Sequence, residues 1–248
     1  MSGLSEIYGP APPATRLGRA FAARVIEKDL RRAFRRVVWV GPWPELDAAR
    51  PLVVVANHHA YHDSFALWHL VVREFGRPFV VWMEAWERAP LFGPIGALPF
   101  PSDRGAARTR TIRETRRRMD ADPRTALLIY PEGAMRPPDS GLGPFVADLP
   151  RLARILPREA QWLPVGVRVT DWGQSRPTAL LAAGSAADTP DGAGPGALEA
   201  VLQRLRAARP SDLGTAQART LIEGERGPDE RWNLARVAPL FRRLTPGL

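Results

Sequence analysis

The sequence predicts an α/β fold, a mixed, largely parallel sheet flanked by helices. Two observations carry that expectation. Short apolar runs recur along the chain: LVVVA at 52–56, FVVWM at 79–83, TALLIY at 125–130, WLPVGVRVT at 162–170 and TALLAAG at 178–184. Runs that lack polar alternation suit strands covered on both faces. Between the first runs lie segments of helical periodicity, and strands alternating with helices are the pattern of a parallel sheet.

Taken in order, residues 1–15 read as a flexible Pro/Ala arm, and 16–248 as a single domain with its core at 50–184. The stretch 16–36 is expected to form a basic amphipathic helix. Leu17, Phe21, Val25, Leu30, Phe34 and Val37 recur at helical spacing among eight Lys/Arg and only two acids. It could lie in an anionic membrane interface or dock on its own domain. After strand 52–56, Asp63 to Phe75 reads as helix. The stretch 86–105 is loop-rich, with room for a short helical turn. Ala106–Asp120 is a helix with a strongly basic face, and Leu149–Ile155 is a further helical segment. A loop at 186–197 precedes helices expected at 197–208 and 211–223. The tail at 231–244 is a second basic amphipathic segment, interrupted by Pro239.

The chain has no cysteine, which removes disulfides, thiolate nucleophiles and zinc–thiolate sites and fits a reducing compartment. No signal peptide is expected at the N-terminus, and no run approaches the roughly 20 apolar residues of a transmembrane helix. The net charge of +9 points to an anionic membrane, a nucleic acid, or an acidic protein or substrate. A genome rich in G and C would also enrich arginine, alanine, proline and glycine together. Tryptophans scattered among the arginines suit base stacking or a membrane interface. Without a nucleic-acid-binding signature, no nucleic-acid partner is expected.

Three of the four histidines, His58, His59 and His62, fall within VVVANHHAYHDS at 53–64. His58 and His62 have the spacing of two metal ligands on one helical face, but HExxH would require Glu where His59 stands, so no metal is expected. A base–carboxylate dyad fits the context better. Neutral imidazole is a natural general base near neutral pH, and it needs a partner that fixes its tautomer. His58 and Asp63 lie where a buried strand meets a helix, the place where α/β sheets expose functional groups. Asp63 also stands where it could cap that helix.

Asn57-His58-x4-Asp63 resembles the NHxxxxD signature of the glycerolipid acyltransferases, the superfamily of the 1-acylglycerol-3-phosphate acyltransferases. GALPFPSDR at 96–104, LIYPEG at 128–133 and LPVGV at 163–167 resemble the family's second, third and fourth blocks in order, so the resemblance covers about 50–184. It implies transfer of a fatty acyl group from acyl-CoA or an acidic acyl-carrier protein to a hydroxyl of a lysophospholipid or glycerolipid, with no cofactor. His58 would deprotonate the hydroxyl and Asp63 would support His58. No acyl-enzyme is needed, in keeping with the absence of cysteine and of a GxSxG elbow. Backbone N–H groups of the 58–64 turn would be candidates to stabilise the oxyanion. Asn57, Arg104, Glu132, Gly133 and Arg136 would contact substrate, Arg104 through an anion of the acceptor. The lipid acceptor and the basic helix imply peripheral attachment to the cytoplasmic side of a membrane, or a cytoplasmic protein. The chain departs from the family pattern at Ala134, at the displaced Arg136-Pro137-Pro138, and at Ala60-Tyr61. Those positions bear on acceptor choice, and a neutral glycolipid or terpenoid glycoside is the alternative acceptor. The alternative of another class is a non-enzymatic basic membrane- or nucleic-acid-binding module.

Overall fold

The computed structural model describes residues 16–231 except Ala89. The expected arm at 1–15 lies outside the described residues, as does the basic tail segment beyond Arg231. The strands are β1 Arg36–Val40, β2 Leu52–Ala56, β3 Phe79–Met83, β4 Ala97–Pro99, β5 Ala126–Ile129, β6 Gln161–Thr170, β7 Thr178–Ala183 and β8 Ala218–Glu223. They form one sheet in the order β4-β3-β5-β2-β6-β7-β1-β8. The pairs β6–β7 and β1–β8 are antiparallel, and the other neighbours run parallel. The fold is therefore the α/β class expected, with a mixed, largely parallel sheet flanked by helices.

The helices are α1 Arg16–Ala33, α2 Asp63–His69, α3 Gly105–Ala121, α4 Leu149–Ile155, α5 Pro195–Ala207 and the short α6 Pro228–Arg231. Every residue of β2 is fully buried, because its two faces meet different layers. Leu52, Val54 and Ala56 pack with Ile26 and Leu30 of α1 and Leu67 of α2. Val53 and Val55 pack on the other side with Met119 of α3 and Leu149 and Leu152 of α4. Each such Val or Leu side chain contributes about 1.5–3 kcal/mol on burial. The covering of both faces is what the unbroken run requires.

Several elements differ from the sequence reading. The first helix ends at Ala33, and Val37 belongs to β1 instead, whose RVVWV run gains an edge beside β7. The face of α1 that packs is also rotated. Ala22, Ala23, Ile26 and Leu30 are buried, whereas Leu17 is 83% and Phe21 59% exposed. Polar contacts fix that phase: His62 Nε2 lies 3.1 Å from Asp29 Oδ2, and Arg73 Nε donates to Glu27 Oε1 at 2.8 Å. The helix expected over Asp63–Phe75 widens into a π-turn over Leu70–Glu74. β4 was hidden in a loop-rich stretch, where Gly96 at φ +109° makes it possible. A Cβ there would stand 1.7 Å from the Phe79 carbonyl oxygen. The helix expected at 211–223 is a short 3₁₀ turn at Pro210–Asp212 followed by β8. β8 buries Ile222 against the core and pairs with β1, so the tertiary neighbour overrides a weak local preference.

Candidate active site

The site is built at the carboxyl end of β2, between its parallel neighbours β5 and β6. The chain leaves the strand at Asn57, which is fully buried. Its amide acts like one more residue of β2: Val167 N–H donates to Asn57 Oδ1 at 2.8 Å, and Asn57 Nδ2 donates to the Val167 carbonyl at 2.8 Å. A backbone N–H can only donate, so this pairing fixes which amide atom is oxygen. The second Nδ2 hydrogen meets His59 Nδ1 at 3.1 Å.

His58 follows. Its Nδ1 lies 3.2 Å from Asp63 Oδ2, and its ring stacks on Tyr130 at a centroid distance of 4.1 Å and 15° between planes. The Asp63 side chain is 1% exposed and that of His58 is 20% exposed, so the dyad opens at its imidazole end. Asp63 begins α2 but does not cap it. Its carboxylate reaches back over the 58–62 turn, where Oδ2 also accepts from His59 N–H at 2.6 Å and Ala60 N–H at 2.7 Å. Those two N–H groups are therefore committed to Asp63 and are not open to an oxyanion. Since the carboxylate only accepts, the His58 proton sits on Nδ1 and the Nε2 lone pair is free.

The histidine cluster divides its work three ways. His59 is half-buried, and burial pushes its imidazole below the ordinary value of about 6.5, with the charges of Asp63 and Glu132 opposing. His62 tethers α2 to α1 through Asp29. His69 is buried 3.8 Å from Glu74, and burial lowers its pKa as well. Among the described residues, no group of three or more His, Asp or Glu side chains could hold a metal ion.

The segment after β5 forms the neighbouring wall. Tyr130 is partly buried, and its hydroxyl shares a 2.8 Å hydrogen bond with Ser64 Oγ. Burial and then the Asp63 charge push its phenol well above the usual value. Gly133 turns the chain at φ +68°, where a Cβ would meet Val146 Cγ2 at 2.5 Å. Glu132 is buried and faces the protein's own backbone. Its Oε2 accepts from Gly143 N–H at 2.7 Å, and its Oε1 lies 3.4 Å from the His58 N–H. Arg136 donates its backbone N–H to the His58 carbonyl at 2.9 Å, and its Nε stands 3.7 Å from Glu132 Oε2.

Arg104 is not brought against the dyad. It precedes α3, half-exposed, with Nε 3.7 Å from Asp103. It shares the carboxyl edge of the parallel strands, but β4 is three places from β2, roughly 14 Å at ordinary strand spacing. The sequence reading missed three participants: His59 as a separate group, Ser64, and Val167 as the partner of Asn57. A polar residue beside each end of the motif was the available signal for the first two. Nothing local marks Val167.

Beside the dyad, a cavity of about 610 Å³ opens between the 138–142 loop, the end of β6 and helix α5, with His59 on its wall. Residues 34–168 match the family model described as Acyltransferase. The crystal structure of the 1-acyl-sn-glycerophosphate (LPA) acyltransferase PlsC from Thermotoga maritima is similar at 18% identity, over 77% of this chain and 82% of that one, with a TM-score of 0.49. No curated protein matches the chain in sequence.

Proposed function

Since the chain belongs to the Acyltransferase family, we propose that His58 and Asp63 carry out its acyl transfer, with an acyl thioester as donor and a hydroxyl of a lysophospholipid or glycerolipid as acceptor. The observation that carries this reading is the buried Asp63 carboxylate, held by two backbone N–H groups and bonded to Nδ1 of a partly open His58. In the step proposed, His58 Nε2 takes the proton of the acceptor hydroxyl while its oxygen attacks the thioester carbonyl. The tetrahedral intermediate then expels the thiolate, which recovers the proton from the imidazolium. Asp63 holds the tautomer and stabilises the charge that forms. The donor is acyl-CoA or an acidic acyl-carrier protein, and no cofactor takes part.

Asn57, Glu132, Gly133 and Arg136 are proposed to shape the substrate-facing wall through the contacts that position His58. Arg104, on the same edge, is proposed to meet an anionic group of a substrate. Residues 16–248 are proposed to act as one catalytic domain. The test is release of free thiol from a long-chain acyl thioester in the presence of lipid acceptors. His58→Ala should abolish it, and Asp63→Asn should lower kcat by about 100-fold or more with little change in KM. Activity retained in His58→Ala would overturn the assignment.

The enzyme is further proposed to work at a membrane surface as a peripheral protein. Leu17 and Phe21 are exposed on α1, and Leu91 is exposed on the 90–95 turn that packs against α1. No helix among the described residues is long and apolar enough to cross a membrane. Arginines near an anionic surface contribute about 1 kcal/mol each and are screened by salt. Sedimentation with anionic vesicles should therefore weaken as salt is added, and should fall further in a Leu17→Ser/Phe21→Ser variant. Equal recovery in the supernatant with and without vesicles at low salt would refute it.

A further inference from the structure

We propose that the cavity beside the dyad receives an uncharged, hydroxyl-rich head group of the acceptor, a glycosyl or comparable polyol group, and that His59 Nε2–H donates a hydrogen bond to one of its oxygens. This rests on the acyl-transfer reading above and narrows its acceptor.

His59 supplies the first reason. Val167 fixes the orientation of the Asn57 amide, so Asn57 Nδ2 is the donor to His59 Nδ1. A neutral His59 then carries its proton on Nε2. Burial favours the neutral form. That Nε2 is buried and has no partner among the described residues, and the residue lines the cavity. A buried donor without a partner is costly, and a small turn of the His59 ring toward the cavity would let an acceptor oxygen there satisfy it.

Charge supplies the second reason. The ionisable wall residues other than His59 are Asp139, Arg168, Glu199 and Arg206, two of each sign. Each arginine already uses one terminal nitrogen within the protein. Arg206 Nη1 donates to Glu199 Oε1 at 2.5 Å, and Arg168 Nη1 donates to the carbonyls of Leu205 and Arg206 at 3.0 and 3.2 Å. The four charges sum to zero, and Arg206 is paired with Glu199, so the wall offers a phosphate no net positive charge. Hydroxyls suit this wall, since they donate to Asp139 and Glu199 and accept from His59.

Placement supplies the third reason. The loop that lines one side of the cavity hangs from the dyad segment at both ends. Arg136 N–H bonds the His58 carbonyl, and Gly143 N–H bonds Glu132, whose other oxygen faces the His58 N–H. A head group held there meets His59, the chain neighbour of the proposed base.

The experiment uses the full chain and two readouts. In the first, a short-chain alkyl glucoside and the alkyl phosphate of equal chain length are titrated below their micelle concentrations, with binding followed calorimetrically. The glucoside should bind more tightly than the phosphate. His59→Asn keeps an acceptor for Asn57 but removes the distal donor, and should weaken glucoside binding about tenfold, the equivalent of one lost hydrogen bond. His59→Gln places an amide N–H near the lost donor and should recover part of the affinity. In the second readout, thiol release is measured with a monoacyl glycosylglycerol and with lysophosphatidate. His59→Asn and Ser140→Ala should raise KM for the glycosyl acceptor and leave KM for the acyl-CoA unchanged. Tighter binding of the phosphate, unaltered glucoside affinity in His59→Asn, or a KM rise confined to the acyl-CoA would overturn the proposal. Glucoside binding as expected without any thiol release would instead overturn the acyl-transfer reading and leave the cavity's ligand class standing.

Discussion

At residue 57 a single side-chain amide performs two tasks, extending the sheet by one pairing and setting the tautomer of His59. Asn57→Asp keeps an acceptor for the Val167 N–H but deprives the Val167 carbonyl and His59 Nδ1 of their donor. Two buried acceptors left unpaired should cost about 2 kcal/mol or more, which urea denaturation would register as a lower midpoint with unchanged slope. Half-buried His59 and buried His69 add a pH dependence whose sign follows from their lowered values. A group whose folded-state pKa is depressed binds its proton more readily when unfolded. The stability linked to His59 and His69 is therefore complete above the unfolded value of about 6.5 and erodes as pH falls below it toward the folded-state values. Denaturation midpoints should drop between pH 7.5 and 5.5, and His69→Leu should make that drop shallower. An identical drop in His69→Leu would remove His69 from the account. At this scale the sequence displayed the dyad, because His58 and Asp63 are near neighbours on one turn. It could not display the Asn57–Val167 pairing, which joins residues 110 positions apart.

At the scale of elements, legibility followed burial. β2, β3, β5, β6 and β7 each carry an unbroken apolar run, because helices or neighbouring segments cover both faces. The misread elements either lack such a run, as β4 and β8 do, or have it masked by a preceding helical spacing, as β1 does. β4 spans three residues and relies on the backbone of Gly96, β8 buries Ile222 and little else, and β1 follows a helix whose spacing continues through Phe34 into Val37. In α1 the alanines did what the larger apolar residues were expected to do. Ala22 and Ala23 lie against the core, while Leu17 and Phe21 stay in solvent. Close packing through small side chains has a testable corollary. Ala22→Leu should overpack a fully buried position and destabilise the fold by about 1–3 kcal/mol. Phe21→Ser should leave the melting temperature almost unchanged, separating the packed side of the helix from the side offered to a membrane.

For the molecule as a whole, the order of strands distributes function unevenly. The dyad hangs from β2, fourth of eight, with parallel partners on both sides, whereas Arg104 follows β4 at one edge and β8 forms the other. Local opening is easiest where pairing is one-sided and hardest in the middle of a sheet. Amide hydrogens of β4 and β8 should therefore exchange with deuterium well before those of β2, at a pH and temperature where the fold is intact. The loop from Pro138 to Leu142 belongs with the fast-exchanging parts, since 3₁₀ turns and irregular backbone surround it. The residues proposed to recognise substrates would then fluctuate on a base that stays still. Such an enzyme can trade one acceptor for another through changes at its periphery and keep its His58–Asp63 geometry through the exchange.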